Sequence, residues 1–307
     1  MVERTLFDAD HLAFKYAFQR FVDKEIAPHH AEWEVQGYVD KSVWRQAGEN
    51  GFLCMTLPEA YGGALDDKRY SVIQMEVLAA GGYSGIGFGL HSEIVAPYLL
   101  HYGTDAQKEK YLPKLASGEL IGAIAMTEPA AGSDLQGVKT TAVRDGDDFI
   151  INGSKTFITN GWNSDLVIVV AKTDPSAGAK GTSLFLVEAG TPGFEKGQRL
   201  KKLGMKAQDT SELFFQNVRV GADQLLGGAA HLNRGFIALM EQLPWERLQI
   251  AVTAVAAAQS VIEQTVAYVK ERHVFGQPVA SYQNTRYTLA ELQTEVQVAR
   301  VFVDKCI

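Results

Sequence analysis

Cysteine is scarce in this 307-residue chain: there are two, Cys54 and Cys306, far apart and without a C-x-x-C spacing. That excludes a disulfide framework and a zinc site built on paired cysteines, and it fits a reducing compartment. Basic clusters are lacking as well. The formal net charge is -7 and the densest basic run is Arg199, Lys201 and Lys202, which argues against nucleic acid or an anionic membrane as the main partner. No unbroken run of 18 apolar residues occurs, and the start MVERTLFDADHLAF has no cationic region followed by an apolar one, so neither a membrane span nor a leader peptide is expected. Nucleotide and hydrolase signatures are missing too: there is no G-x-x-x-x-G-K-[ST] and no G-x-S-x-G, and in GYSGIGFG the last glycine of a dinucleotide fingerprint is replaced by Leu90. The seven histidines show no H-x-x-x-H or H-E-x-x-H spacing, so no metal site is expected and surface or capping roles are predicted for them.

What the chain has is an apolar content of 46%, enough for a large core over a length that accommodates two or three domains. Up to about Leu120 the spacing is helical. Phe14, Phe18 and Phe21 fall at i, i+4 and i+7 before Pro28, and Val72, Met75 and Ala79 at i, i+3 and i+7 before Gly81-Gly82. LPEAYGGALDD between them predicts a connecting loop. From Ile121 the period becomes that of strands. Asp145-Gly146, Asn152-Gly153 and Asn160-Gly161 punctuate short β-branched and aromatic runs and predict tight hairpins. TSLFLVEAG and SELFFQNVRV add strands, so a small antiparallel barrel or sandwich is expected. After Asn233 helices return, with Ile262, Val266 and Val269 on one face and Leu289, Leu292, Val296, Ala299 and Val303 on another. That last pattern reaches Ile307 without a capping glycine, which predicts a bundle incomplete in this chain. The expected fold class is α+β multidomain: an N-terminal helical domain over 1–120, a middle antiparallel β domain over 121–232 and a C-terminal helical bundle over 233–307.

Three segments have chemical potential. In AIAMTEPAAGSDLQG, residues 123–137, a strand runs into small and hydroxyl-bearing residues. Its accessible N–H groups and the hydroxyls of Thr127 and Ser133 suit a phosphate or the polar edge of a ring, although a plain β-turn has the same local chemistry. In ALMEQLPWERLQIA, residues 238–251, Glu246 shares a stripe with Leu239, Leu243 and Ile250, where an unpaired buried carboxylate is costly. Alternatively Pro244 begins the helix and Glu246 lies in its first turn, favoured by the dipole. In KERHVFGQPVASYQNTR, Arg272 ends a helix before Phe275-Gly276 and Gln283 opens the next, which reads equally well as capping.

Together AMTEPAAGSD, NGSKTFITNG, GMKAQDTSELFF, PWERLQIA and RHVFG with Gln283 beyond it resemble the acyl-CoA dehydrogenase family of flavoproteins, its long-chain branch above all, over essentially the whole chain. The resemblance implies FAD as cofactor and oxidation of a saturated long-chain acyl-CoA to the trans-2-enoyl-CoA. An α-proton is removed, the β-hydrogen leaves as hydride to flavin N5, and electrons pass to an electron-transferring flavoprotein. It implies that Ile124, Ala125, Met126, Thr127, Gly132 and Ser133 lie against the flavin, with Phe157, Ile158 and Thr159 as a second flavin-contacting stretch. Phe157 stands where many members carry tryptophan. Arg272, Phe275 and Gln283 match residues that reach the FAD of a neighbouring subunit, so a homo-oligomer, dimer or tetramer, is implied. Ser133, Ile237, Pro244, Trp245, Glu246 and Arg247 match substrate-binding positions, and Glu246 matches the catalytic base of members that carry it on a helix. The placement has a chemical reason: the α-proton is weakly acidic, so the base must be aligned with it, and a pocket that excludes water raises a carboxylate's basicity.

The resemblance further implies that the family's C-terminal helices and a glycine-rich flavin-contacting segment are missing here, leaving an apolar bundle face open. The cytoplasm of a bacterium, or the mitochondrial matrix of a eukaryote, is the expected location. Two other readings stay open at this point, an acyl-CoA oxidase that uses oxygen and a catalytically silent scaffold subunit of the same fold.

Overall fold

The computed structural model describes residues 3–307. In chain order come helices α1 (Ala9–Phe21), α2 (His30–Gln36), α3 (Lys41–Glu49), α4 (Lys68–Ala80), α5 (Phe88–Leu90), α6 (Ala96–Tyr102) and α7 (Asp105–Ala116). Strands β1 (Gly122–Ala125), β2 (Thr141–Asp145), β3 (Asp148–Thr159), β4 (Leu166–Lys172), β5 (Thr182–Glu188), β6 (Phe194–Arg199) and β7 (Thr210–Gly221) follow. The chain closes with α8 (Gly235–Glu271), the short pair β8 (His273–Val274) and β9 (Gln277–Pro278), and α9 (Gln283–Cys306). This helical, β, helical order is the α+β organisation that the change of apolar period predicts. Contacts group the chain into two compact units: one holds the chain up to Lys24, Asp67–Tyr83 and Trp245–Ile307, the other Glu25–Asp66 and Ser84–Pro244.

The second unit is built on a seven-stranded sheet of order β1-β4-β2-β3-β7-β6, with β5 paired to β4. The sheet is mixed rather than purely antiparallel. β1 runs parallel to β4, Ala123 opposite Val167, because it enters from α7 and not through a hairpin. All seven residues of β4 are buried, and their alternation divides them between two cores. Leu166, Ile168 and Val170 join Leu99, Tyr111, Leu112 and Leu115 of the helices on one face, and Val167, Val169 and Ala171 join Phe149, Ile151, Leu213 and Phe215 on the other. A strand covered on both faces reads as a continuous apolar run, which is what LVIVVAK is.

Of the three dipeptides expected to form hairpins, one does. Asp145-Gly146 turns β2 into β3, with Asp145 paired to Asp148 and Gly146 at φ +64°. Asn152-Gly153 instead lies inside β3, where the pairing with β7 slips between Ile151 and Gly153. Gly153 has φ +155°, and a Cβ there would meet Thr140 Oγ1 at 2.3 Å. Asn160-Gly161 opens the loop out of β3: Asn160 has φ +60° and its amide donates to Gly87 O and Gly122 O at 3.2 and 3.3 Å. All three use the same tolerance of positive φ, for three different purposes.

The histidines correct the surface expectation. His91 is fully buried, accepting from Gly122 N at 3.0 Å and facing Leu115 O at 2.9 Å. His11 does take part in the capping box of α1, but it is buried between Asp8 and Asp67.

In the first unit α1 and α4 pack with α9 and the C-terminal part of α8 through Val72, Met75, Val252 and Val303, flanked by Trp245, Leu248 and Val255. Arg4 bridges Glu76 and Asp304, at 2.7 Å each, and Arg300 meets Glu76 at 2.6 Å. α9 leaves Tyr287, Leu292, Val298, Val301 and Phe302 exposed. By length and composition α8 could cross a membrane; a long bundle helix meets the same test.

Candidate active site

The segment after β1 is held from behind by the sheet. Thr156 N donates to Thr127 O at 3.0 Å and Thr127 Oγ1 donates to Thr156 O at 2.5 Å, a two-way exchange between the turn and β3. Glu128 and Ala131 close the turn on each other through N–H···O bonds of 2.8 and 3.1 Å. Beneath it, Lys155 Nζ donates to Met126 O and to Glu128 Oε1, both at 2.9 Å. Glu128 in turn accepts from Lys139 N and Thr140 N at 2.6 and 2.9 Å. Burial pushes the Lys155 ammonium down to about 8, with Glu128 working against that shift. Burial alone would raise the Glu128 carboxyl, but the bonds from Thr140, Lys155 and Lys139 outweigh it and hold it low. Gly132 and Ser133 lie exposed at the far side of the turn, and a Cβ on Gly132 would meet nothing within 4 Å.

The other wall is a β-bulge. Between Lys155, opposite Leu213, and Ile158, opposite Ser211, β3 has one residue more than β7. The bulge puts Phe157 at φ +59° with 68% of its surface exposed, while Ile158 is buried and Thr159 half-buried. A bulky side chain at positive φ costs on the order of 1–3 kcal/mol, and such strain gathers where a ligand is held. The structure therefore brings Met126, Thr127 and Phe157 to one cradle: an aromatic face, a hydroxyl, and a backbone whose carbonyls are drawn inward. Ile124 and Ala125 belong to the buried end of β1 and support the cradle from below. A planar ring system with a polar edge, such as a flavin, fits this chemistry.

Glu246 lies in the other unit, on α8. The first-turn reading is overturned, because α8 runs unbroken from Gly235 and Pro244 falls inside it. The helix is long enough to absorb one missing N–H, and the dipole argument does not apply that far from its start. The stripe reading needs a correction as well. Leu239 is fully buried and Leu243 and Glu246 are half-buried, but Ile250 is 71% exposed. The buried face past Pro244 follows Gln249, Val252 and Ala256, one residue round from the predicted line, and Glu246 borders it. Trp245 carries the Lys68 ammonium at 4.2 Å from its ring centre, whereas Ile237, Pro244 and Arg247 are exposed.

Arg272, Phe275 and Gln283 lie along the stretch that joins α8 to α9. Phe275 and Gly276, at φ +50° and +78°, form the tip of the β8–β9 hairpin, so Gly276 serves a turn and not a helix stop. Phe275 is 97% exposed, and Arg272 and Gln283 are exposed as well. Sequence reasoning missed Glu128, Lys155 and His91. Glu128 and Lys155 stand inside quoted motifs, but a charged residue in a loop or strand ordinarily signals solvent.

A mixed sheet that carries a strained, exposed aromatic, with helical segments before and after it in the chain, defines a multidomain α+β protein. Its family follows from likeness to known proteins. Residues 8–119, 123–218 and 233–307 match the family models described as acyl-CoA dehydrogenase N-terminal, middle and C-terminal domains. The long-chain specific acyl-CoA dehydrogenase, mitochondrial, of Mus musculus is 51% identical over 306 residues, covering 99% of this chain and 70% of that protein. A crystal structure of an acyl-CoA dehydrogenase from Geobacillus kaustophilus superposes with a TM-score of 0.95 at 48% identity, over 99% of this chain and 80% of that one. A glutaryl-CoA dehydrogenase from Mycobacterium smegmatis, solved in complex with FADH2, gives 0.89 at 33% identity, over 98% and 75%. The chain belongs to the acyl-CoA dehydrogenase family.

Proposed function

We propose that this chain binds FAD in the Thr127–Phe157 cradle and oxidises a saturated long-chain acyl-CoA to the trans-2-enoyl-CoA, with Glu246 as base and an electron-transferring flavoprotein as acceptor. The observation that supports it most is the exposed, strained Phe157 beside the doubly tied Thr127, in a chain half identical to a long-chain enzyme. The FADH2 complex of the Mycobacterium smegmatis relative supports the choice of cofactor. The three family-model matches support a division into domains close to 1–120, 121–232 and 233–307.

FAD, when bound, supplies the hydride acceptor. The protein's part is acid–base and positional. Glu246 removes the α-proton, and its position at the edge of an apolar helix face favours a more basic carboxylate once the acyl chain displaces water. Trp245 and Arg247 flank it toward the thioester, with Ser133, Ile237 and Pro244 as further substrate contacts. Phe157, Ile158 and Thr159 bound the cofactor's ring, together with Ile124, Ala125, Met126, Thr127 and Gly132. Arg272, Phe275 and Gln283, exposed at the β8–β9 hairpin, reach toward a second subunit's cofactor in a homo-oligomer. The mouse relative is named mitochondrial, and the same placement, or the cytoplasm of a bacterium, suits this chain.

Anaerobic titration with acyl-CoAs of several lengths, followed at the flavin absorbance, tests the reading. Wild type is expected to bleach with long-chain substrates, and Glu246→Gln to bleach at least 100-fold more slowly, the usual contribution of a general base. Wild type that binds FAD yet is bleached by no acyl-CoA refutes the enzyme reading and leaves a silent scaffold. Unimpaired Glu246→Gln refutes the assignment of the base. Hydrogen peroxide formed in step with turnover replaces the flavoprotein acceptor by oxygen.

A further inference from the structure

We propose that Lys155 and Glu128 are positioning residues for the flavin: their buried ion pair clamps the Met126–Glu128 turn onto the Phe157 bulge and turns the Thr127 N–H toward the cradle. The inference rests on the flavin reading above. It concerns two side chains that touch neither the proposed substrate nor the proposed ring.

The geometry is specific. Lys155 is 1% exposed, and its ammonium divides its bonds between a backbone carbonyl, Met126 O, and a carboxylate, Glu128 Oε1. Glu128 spends its oxygens on Lys155 and on the N–H groups of Lys139 and Thr140, so the pair also fixes the chain that returns from the turn. A buried ion pair is an expensive way to fasten a loop, since an apolar pair of similar volume would serve stability as well or better. Its use here needs another reason, and the direction it imposes on one peptide supplies it. No cis peptide occurs among the described residues. With Met126 C=O drawn inward to Lys155, the Thr127 N–H of the same planar trans peptide faces the opposite way, outward. Thr127 O is likewise drawn inward by Thr156 N. The ammonium thus holds an N–H donor toward the side on which Phe157 is exposed, and adds positive charge behind it. Lys155 is also the residue at which the bulge begins, so one side chain sets both walls of the cradle.

Removing Lys155 alone would strand a buried carboxylate and risk the fold, so the test compares Glu128→Gln with the double variant Lys155→Met/Glu128→Gln in the full chain. The single glutamine oxygen can accept from only one of Lys139 N and Thr140 N, a loss common to both proteins, so the two differ in the bond to Met126. FAD affinity is measured by reloading stripped protein, the ring environment by visible circular dichroism, and the fold by thermal unfolding without FAD. The double variant is expected to bind FAD at least ten-fold more weakly than Glu128→Gln, with an altered visible spectrum, while the flavin-free proteins unfold within a few degrees of each other. Equal affinity and spectrum overturn the proposal, and so does a loss of affinity matched by an equal loss of flavin-free stability. Hydrogen exchange on wild type needs no variant: added FAD is expected to protect the Thr127 amide, and unchanged exchange there overturns the proposal. Wild type that takes up no FAD at all refutes the parent reading, whereas wild type that binds while the variants match it refutes this one alone.

Discussion

Acidification from pH 7 to 4 should weaken the sheet-bearing unit through one residue, His91. The ring lies fully buried, with the Trp44 indole edge-on at 5.2 Å. Gly122 N–H has to donate to Nδ1, so the proton sits on Nε2 and is given to Leu115 O. Adding a second proton would turn two donors on each other and place a charge where water cannot reach. Desolvation accordingly pushes the imidazole from 6.5 down to about 4, against weaker opposing contributions from the bond to Leu115 and the charge of Asp165.

The unfolded chain then binds a proton between pH 6.5 and 4 that the folded chain refuses, so stability falls as the pH falls through that window. The loss is about 2 kcal/mol at pH 5 and about 3 kcal/mol by pH 4, a sizeable part of a typical domain's 5–15 kcal/mol. His91→Gln separates this effect from the carboxylates that titrate in the same range. Its amide can donate to Leu115 O and accept from Gly122 N, but it does not ionise. Urea unfolding at pH 7 and 5, followed by tryptophan fluorescence, should show wild type losing about 2 kcal/mol more than His91→Gln. Equal losses in the two proteins, or an NMR titration of the folded His91 ring near 6.5, would refute the argument.

Three further outcomes follow from the same kind of reasoning. Phe157→Gly should raise the stability of the flavin-free chain by about 1 kcal/mol, because glycine accepts φ +59° without strain and little burial is lost; FAD affinity should fall, and thermal unfolding with a binding titration checks both. Gly153→Ala should cost about 2–3 kcal/mol, read as a lower urea midpoint, since its methyl meets Thr140 Oγ1 at 2.3 Å. Glu76→Ala should cost about 3 kcal/mol because it leaves Arg4 and Arg300 facing each other without the carboxylate they share; Glu76→Gln, which keeps an acceptor, should lose less.

Much of this molecule is legible in sequence because much of it is local. The i, i+4, i+7 spacing of Phe14, Phe18 and Phe21 marks α1, and the short β-branched and aromatic runs after Ile121 mark the strands. Misreadings arise where one local signal serves several ends. Asn152-Gly153 and Asp145-Gly146 offer the same positive φ, yet one kinks a strand and the other turns a hairpin, and only the pairing of β3 with β7 decides between them. Pro244 can begin a helix or be carried within one, and packing on both sides of it decides. The partners of His91 come from residues 24 and 31 positions away, so no window of sequence reveals that it is buried and neutral.

Exceptions to local rules are informative only when they coincide. Positive φ at a non-glycine residue occurs at Cys54, Met205 and Asn217 as well as at Phe157, and buried charge occurs at Asp209 as well as at Lys155. Asp209 is fully accounted for by the Trp162 and Asn163 N–H groups it accepts, which hold the loop after β3. Phe157 differs because three departures meet within three residues of one strand: an aromatic in the sparsely populated left-handed region, left exposed, at a bulge that starts from a buried ammonium. An exposed aromatic at positive φ costs the empty sheet free energy that glycine there would not. On the flavin reading proposed above, a ring that stacks on the aromatic and takes the Thr127 N–H would account for all three together.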